Sequence, residues 1–154
     1  QLPTRNALEA AACRRDFFAL FLDLDNLKDI NLHRGYQAGD RAILDVANCI
    51  TQHVRKRDLV SHWGGDEFAI LLYESSIEDV TKIAQRMLGQ INVLGYSASI
   101  GVGDSIETAQ INQQTAKAQG KNQLSIFNKR QSIQYQAHPL PKQFPSSYQL
   151  EIGP

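Results

Sequence analysis

The chain has 154 residues, of which 42% are hydrophobic and 21% are charged. This length and balance predict one globular domain with its own core rather than a disordered segment. Lysine plus arginine and aspartate plus glutamate each total 16, so the net charge is zero. A net charge of zero argues against broad electrostatic binding to nucleic acid or to an anionic membrane, but it is compatible with a local anion site. No apolar run approaches the length of a bilayer span. Cys13 and Cys49 are too few for a disulfide framework and are expected to pack as small apolar residues.

The first half of the chain alternates helical and extended patterns. Residues 4–15 predict a helix, and the nearly continuous apolar run at 17–24 predicts a central strand. Residues 26–36 predict a short helix that ends at Gly35. An apolar stripe at helical spacing over 38–54 predicts a longer helix.

The second half continues the alternation. The patterns predict a hairpin around Gly64 and Gly65 at 59–73. They also predict helices at 76–91 and 105–119 and strands at 96–103 and 122–127. Strands paired by a hairpin and backed by helices predict an α+β fold with a mainly antiparallel central sheet flanked by helices. Four of the five prolines follow residue 130, where periodicity stops. The predicted domain therefore spans 1–130, and 131–154 is predicted to be a tail or linker.

Two carboxylates stand at strand ends. Asp23 ends the strand at 17–24, and Asp66 follows the glycines of the hairpin. If these strands are neighbours, the carboxylates meet at one edge of the sheet and repel unless a divalent cation binds them. Hard oxygen ligands suit Mg²⁺, which also binds phosphate oxygens. In the alternative interpretation, Asp23 caps the following helix and Asp66 belongs to a surface turn.

The motif GGDEF occurs at 64–68 and has companions along the chain. The segment FLDLDNLKDINLHRGYQAGD (21–40) contains the strand and its polar end, LPTRNAL (2–8) opens the chain, and SIGVG (99–103) and AKAQGKN (116–122) follow. Together they resemble the GGDEF domains, the catalytic domains of diguanylate cyclases, over about residues 2–128. The resemblance implies a palm-like nucleotidyl cyclase fold and the condensation of two GTP molecules to cyclic di-GMP with release of pyrophosphate.

The resemblance also implies a GTP site that holds two Mg²⁺ or Mn²⁺ ions. Asp23, Asp66 and the carbonyl of Leu24 match the metal ligands. Asp66, Glu67 and Lys28 match the catalytic positions, with Glu67 at the metal or at the attacking hydroxyl. The positions that match GTP-binding residues are Asn26, Leu27, Lys28, Asn31, Asp40, Gly64, Gly65, Lys117 and Lys121.

Three groups of these residues have distinct implied roles. The turn at 26–28 cradles phosphates, as helix N-termini attract anions, and Lys117 and Lys121 clamp the phosphates from the other side. Asn31 and Asp40 bind guanine, whose paired N1–H and amino donors suit a carboxylate and have no counterpart in adenine. Taken singly, the lysines would be solvated charges and Asp40 a helix cap.

A second site is implied by RKRD at 55–58, which matches the RxxD pattern of the family. Arg55 and Asp58, with Arg86 from a neighbouring domain, would bind the product cyclic di-GMP and inhibit the enzyme. Taken alone, these charges would only mark a helix end. The resemblance further implies a homodimer with one GTP per domain, a cytoplasmic location, and a sensory or effector domain in a longer parent chain.

Several positions depart from the family pattern. His62 and Trp63 replace an Arg–aromatic pair, Leu32 stands where Asp is usual, and Gln110 takes an Asp position within the short, polar segment 104–116. These departures leave a second hypothesis, a non-catalytic GGDEF domain that binds GTP or cyclic di-GMP and regulates a partner domain. A third hypothesis, another nucleotide cyclase or polymerase-like palm, fits the strand-end carboxylates but not Asp40 as a guanine reader.

Overall fold

The computed structural model describes residues 2–13, 16–128, 133–139 and 148–152. Helices and strands follow one another in these ranges as α1 (Arg5–Ala12), β1 (Phe17–Leu24), α2 (Leu27–Arg34), α3 (Tyr36–His53), β2 (Leu59–Gly64), β3 (Glu67–Tyr73), α4 (Ile77–Val93), β4 (Ala98–Gly103), α5 (Ile106–Ala118), β5 (Gln123–Asn128), β6 (Ile133–Pro139) and β7 (Tyr148–Ile152).

The strands form one sheet in the order β2-β3-β1-β4-β5-β6-β7. All neighbouring pairs are antiparallel except β4 and β5, which are parallel and are connected through α5. This arrangement confirms the predicted α+β class with a mainly antiparallel sheet. β1 lies between β3 and β4, as its continuous apolar run predicts.

One face of the sheet, here called the apolar face, carries the main core beneath α3 and α4. Successive strand residues point to opposite faces, so alternate residues of each strand contribute to this core. Its strand members, all at most 5% exposed, are Leu20, Leu22, Leu24, Val60, Phe68, Ile70, Leu72, Ala98, Ile100, Val102, Leu124 and Ile126.

The opposite face, here called the α5 face, lies beneath α1 and α5. A smaller apolar cluster occupies part of it, with Leu8 and Phe21 among its buried members. Beside that cluster the same face buries polar strand residues, namely Asp23, Ser99, Gln123 and Ser125. The polar part of this face lies where β1 ends, and it positions the candidate site.

Several local details differ from the predictions. α3 begins at Tyr36, two residues early, because Gly35 (φ +89°) ends α2 and precedes α3 directly. β6 and β7 lie in the segment 131–154, where no regular structure was predicted; the division of the chain at residue 130 stays a prediction. Cys49 is buried as expected, whereas the expectation is wrong for Cys13, which is exposed. Among the described helices, none has the length and hydropathy needed to cross a membrane.

Candidate active site

The β2–β3 hairpin brings the acidic motif to the end of β1. Gly65 makes the turn with a φ of +46°, a conformation that favours glycine. The backbone N–H of Leu24 donates to the carbonyl of Asp66 at 2.9 Å, and Asp23 pairs with Glu67 in the β1–β3 register. The strand-end carboxylates therefore lie at one edge of the sheet, as the sequence predicts. The capping alternative for Asp23 is wrong, because Asn26 is the residue that precedes α2.

Asp23 has an asymmetric environment. The residue is 3% exposed, and its Oδ2 accepts hydrogen bonds from the Lys117 ammonium and from Nε2 of Gln113, the latter at 3.3 Å. Its Oδ1 is buried without a hydrogen-bond partner in the described part of the chain. Burial raises the pKa of Asp23 to about 7 against the opposing contact with Lys117, and the nearby carboxylate of Asp66 raises it further.

These groups fit a divalent cation. A buried, unpartnered carboxylate oxygen is costly, and a cation at Oδ1 would satisfy it. Asp66 and the carbonyl of Leu24 offer further oxygen ligands, the type that Mg²⁺ and Mn²⁺ prefer. In the described ranges no group of three or more His, Cys, Asp or Glu residues could hold a metal ion. The protein would thus provide only part of a coordination shell, and water or phosphate oxygens would supply the rest.

The start of α2 faces the same edge. Asn26 precedes the helix with a φ of +60° and makes no side-chain capping bond, so the first N–H groups of α2 are available to an anion. The side chain of Asn26 instead accepts a hydrogen bond from Nζ of Lys121 at 2.8 Å. Lys28 is exposed in the first turn of α2. This end of the site therefore combines open backbone donors with lysine ammonium groups.

A buried carboxylate, Asp25, connects the start of α2 to the loop before β5. Asp25 is 2% exposed; its Oδ1 accepts from Ser99 Oγ at 2.7 Å and its Oδ2 from the backbone N–H of Asn122 at 2.9 Å. Burial raises the pKa of Asp25, and the bonds from Ser99 and Asn122 oppose that rise. Lys121 and Asn122 both have positive φ, +64° and +49°, a costly conformation for residues with a Cβ. Asp25 helps to stabilise this strained loop.

The predicted guanine-binding pair lies at the junction of α2 and α3. A Cβ at Gly39 would lie 1.7 Å from Oδ1 of Asn31, so a larger residue at this position would displace the Asn31 side chain from its observed position. Asp40, the next residue, is exposed within α3. Because α3 begins four residues earlier, the interpretation of Asp40 as a helix cap is wrong.

The RxxD residues make a compact network next to β3. Arg55 donates to both carboxylate oxygens of Asp58, at 2.9 and 3.2 Å, and to the carbonyl of Tyr73 at 3.0 Å. Asp58 also accepts from the backbone N–H of Tyr73 at 3.1 Å, and its side chain is fully buried. The Arg55 side chain is 35% exposed, and Arg86 is exposed on α4. The network connects the end of α3 to β3, whatever else it binds.

Sequence reasoning did not identify Gln113 or Asp25 at this site. A buried glutamine in a polar helix is counted as a surface residue by hydrophobic periodicity. The available signal was the pairing of small residues: Ala109 on α5 lies opposite Gly101 on β4. Small residues on both elements indicate a close contact that also buries the residues beside them.

A family model for "Diguanylate cyclase, GGDEF domain" matches residues 3–123. The chain belongs to the GGDEF domain family. Among curated relatives, the bifunctional diguanylate cyclase/cyclic di-GMP phosphodiesterase MucR of Pseudomonas aeruginosa is 31% identical over 131 residues, which is 73% of this chain and 19% of the relative. This GGDEF domain thus spans about a fifth of the length of the curated relatives it matches first.

Solved structures agree with the family. The crystal structure of the GGDEF domain of TpbB from Pseudomonas aeruginosa is 28% identical with a TM-score of 0.69, over 82% of this chain and 96% of that one. A microbial GGDEF domain whose structure describes a novel interaction mode with cyclic di-GMP is also 28% identical, with a TM-score of 0.67, over 79% of this chain and 84% of that one.

Proposed function

We propose that this GGDEF domain is a diguanylate cyclase that condenses two GTP molecules to cyclic di-GMP. The observation that carries the proposal is the buried Oδ1 of Asp23, which has no hydrogen-bond partner among the described residues and lies at the end of β1, beside the turn that contains Asp66. This acceptor lies next to an uncapped helix start and two lysines. Membership of the family and the names of the relatives support the same activity.

The reaction is a phosphoryl transfer without a covalent enzyme intermediate. The 3′-hydroxyl of one GTP attacks the α-phosphorus of the other, the bond to the bridging oxygen breaks, and pyrophosphate leaves; a second such step closes the ring. When bound at Asp23, Leu24 and Asp66, divalent ions supply charge neutralisation and activation of the hydroxyl. Glu67 pairs with Asp23 in the β1–β3 register. In this proposal Glu67 accepts the proton of the attacking hydroxyl.

The other residues hold the substrate. The N–H groups at 26–28, with Lys28, Lys117 and Lys121, bind the phosphates, and their charges stabilise the leaving pyrophosphate. Asn31 and Asp40 bind guanine. One domain offers one nucleotide site, so catalysis requires a homodimer in which two GTP molecules face each other. A sensory or effector domain in a longer parent chain would control that pairing, in the cytoplasm, where GTP is available.

The test is a product assay on the chain fused to a parallel coiled coil, with Mg²⁺ or Mn²⁺ and GTP, and nucleotides separated by chromatography. We expect cyclic di-GMP from the wild type and a loss of at least about 100-fold for Asp66→Ala, the scale for removing one electrostatic contact at the reacting phosphate. Asp104→Ala is the matched control. This exposed carboxylate follows the last residue of β4, whereas the site lies at the first residues of that strand. GTP binding without product in the dimer would reject the cyclase and favour the non-catalytic binder.

We further propose that cyclic di-GMP inhibits the enzyme through Arg55, Asp58 and Arg86. Arg55 is bound to Asp58 yet remains one-third exposed, which suits bidentate contact with phosphate or guanine. Arg86→Ala is the cleaner variant, because Arg55 also supports β3. We expect its inhibition constant to rise about tenfold, the loss of one charge-assisted hydrogen bond. Lys82→Ala, one turn earlier on α4, is the control, and equal inhibition of Arg86→Ala and wild type would reject this site.

A further inference from the structure

α5 lies directly on β4 with no room for a side chain between them. A Cβ at Gly101 would lie 2.0 Å from the carbonyl oxygen of Ala109 and 2.2 Å from the backbone nitrogen of Gln113. The backbone of α5 at this point therefore touches the sheet, and adjacent side chains of the helix must run along the sheet surface. Two carboxamides are buried there, Asn112 at 5% exposed and Gln113 at 0%.

The two buried amides have different partners. Nδ2 of Asn112 donates to the backbone carbonyl of Val102 at 2.7 Å, which attaches α5 to β4. Nε2 of Gln113 donates to Oδ2 of Asp23, and its Oε1 accepts from Gln114 at 3.1 Å. Burial of an amide is costly unless it is hydrogen-bonded, and an apolar side chain would fill the same space. The partner of Gln113 thus indicates a role that packing alone does not require.

Gln113 and Lys117 lie one helical turn apart and share the same oxygen of Asp23. The Lys117 side chain is 35% exposed, so it can leave Asp23 for a phosphate of the substrate. Gln113 has no exposed surface and cannot leave without moving the helix. When Lys117 turns to a phosphate, Gln113 is the described donor that still holds Oδ2.

We propose that Gln113 is a positioning residue that orients Asp23, so that Oδ1 alone is presented to a divalent cation. The inference rests on the proposed function, since it assigns Gln113 a role at the metal of that site. Groups that hydrogen-bond a metal-ligating side chain change metal affinity by about 10–100-fold when they are removed. Gln113 belongs to this class, and it acts through Asp23 rather than on the substrate.

The test measures Mn²⁺ affinity by electron paramagnetic resonance, with a non-hydrolysable α,β-methylene analogue of GTP present. Gln113→Met keeps the length of the side chain and removes its donor. We expect Mn²⁺ to bind about tenfold more weakly, and the Mn²⁺ concentration for half-maximal rate to rise equally, while kcat at saturating Mn²⁺ changes less than about threefold. If Gln113→Met does not fold, Gln113→Asn serves instead, because its side chain is one methylene shorter and holds the amide donor farther from Asp23.

Asn112→Leu is the matched control, because it removes a buried carboxamide from the same helix that does not contact Asp23. A purely structural role for Gln113 predicts loss of stability in both variants and an unchanged Mn²⁺ affinity, and that result overturns the inference. A wild type that binds no Mn²⁺ overturns it too. If the wild type binds Mn²⁺ in a Gln113-dependent manner but makes no cyclic di-GMP, the inference stands and the proposed activity fails.

Discussion

The two faces of the sheet are built from the same strands yet serve different ends. On the apolar face, alternate residues of β1, β3, β4 and β5 form one continuous core with α3 and α4. On the α5 face, the residues between them include a smaller apolar cluster and the buried polar groups Asp23, Ser99 and Ser125.

The contrast shows that the polar groups of the site, whose burial is costly, lie on one face of the sheet, whereas the core that stabilises the domain lies on the other. Buried carboxylates and amides are stable only while each finds a partner, and the α5 face meets that condition incompletely. The apolar face needs no such matching and provides most of the free energy of folding by burying hydrocarbon. A substitution on the apolar face should therefore change stability alone, and one on the α5 face should also change the site.

The largest effect is expected from Ile70→Ala on the apolar face. Ile70 is fully buried and pairs with Leu20 and Val60 on its two neighbouring strands. We expect the free energy of unfolding to fall by about 2–5 kcal/mol, measured by urea titration. Leu44→Ala, at a position 51% exposed, is the control. A changed Mn²⁺ affinity in the folded Ile70→Ala variant would break the proposed separation of the two faces.

Gly101→Ala is expected to damage both stability and site. Its Cβ would meet the backbone of Ala109 and Gln113, so α5 must move away, and with it Lys117. We expect a loss of about 3 kcal/mol, at the upper end for overpacking, together with weaker Mn²⁺ binding. Gly64→Ala is the stability control, because no atom of the described residues lies within 4 Å of a Cβ there. Mn²⁺ affinity equal to wild type would contradict the role assigned to the α5 contact.

Two serines of the α5 face should respond with opposite signs. Ser99 donates to Asp25 at 2.7 Å, so Ser99→Ala should lower the free energy of unfolding by about 2 kcal/mol. Ser125 is equally buried, but its hydroxyl has no partner in the described part of the chain. Ser125→Ala should raise stability by about 1 kcal/mol, since it removes an unpaired polar group. Thermal unfolding of both variants checks the prediction, and destabilisation by Ser125→Ala would contradict it.

The smallest expected effect is a difference in reactivity between the two cysteines, with no change in the free energy of unfolding at neutral pH. Burial raises the pKa of Cys49 from 9.0 to about 11, while Cys13 is exposed. At pH 8, a disulfide reagent such as DTNB should modify Cys13 at once and Cys49 only after denaturant is added. Because the folded state holds the Cys49 proton more tightly, its contribution to stability persists below about pH 9 and is lost as the pH rises through about 11. Two rapidly reacting thiols in the native protein would contradict the burial of Cys49.

The apolar face was readable from the sequence, and much of the α5 face was not. The run 17–24 and the paired glycines at 64–65 specify β1 and the hairpin through local hydrophobicity and turn chemistry. The meeting of Asp23 with Asp66 then follows, because both residues stand at the ends of adjacent strands. Apolar residues are usually buried, so their type and their spacing along the chain suffice to predict which face of an element lies in the core.

The position of Gln113 could not be read in the same way. Whether a glutamine is buried depends on a partner 90 residues earlier in the chain, which no local pattern contains. The strands β6 and β7 were missed for a related reason. Prolines and the lack of alternation argue against strands, whereas the backbone pairing of an outer strand depends on the edge it meets. Long-range partners therefore decide both cases.

The hydrogen bonds of Asp25 affect the energetics of binding a phosphate ligand. One carboxylate joins the turn at the end of β1 to the loop that carries Lys121, and Lys121 in turn reaches back to Asn26. The end of β1 and the loop that carries Lys121 are thus held together before any ligand binds. An arriving anion would spend little of its interaction energy on ordering them, which favours tight capture by a small number of contacts.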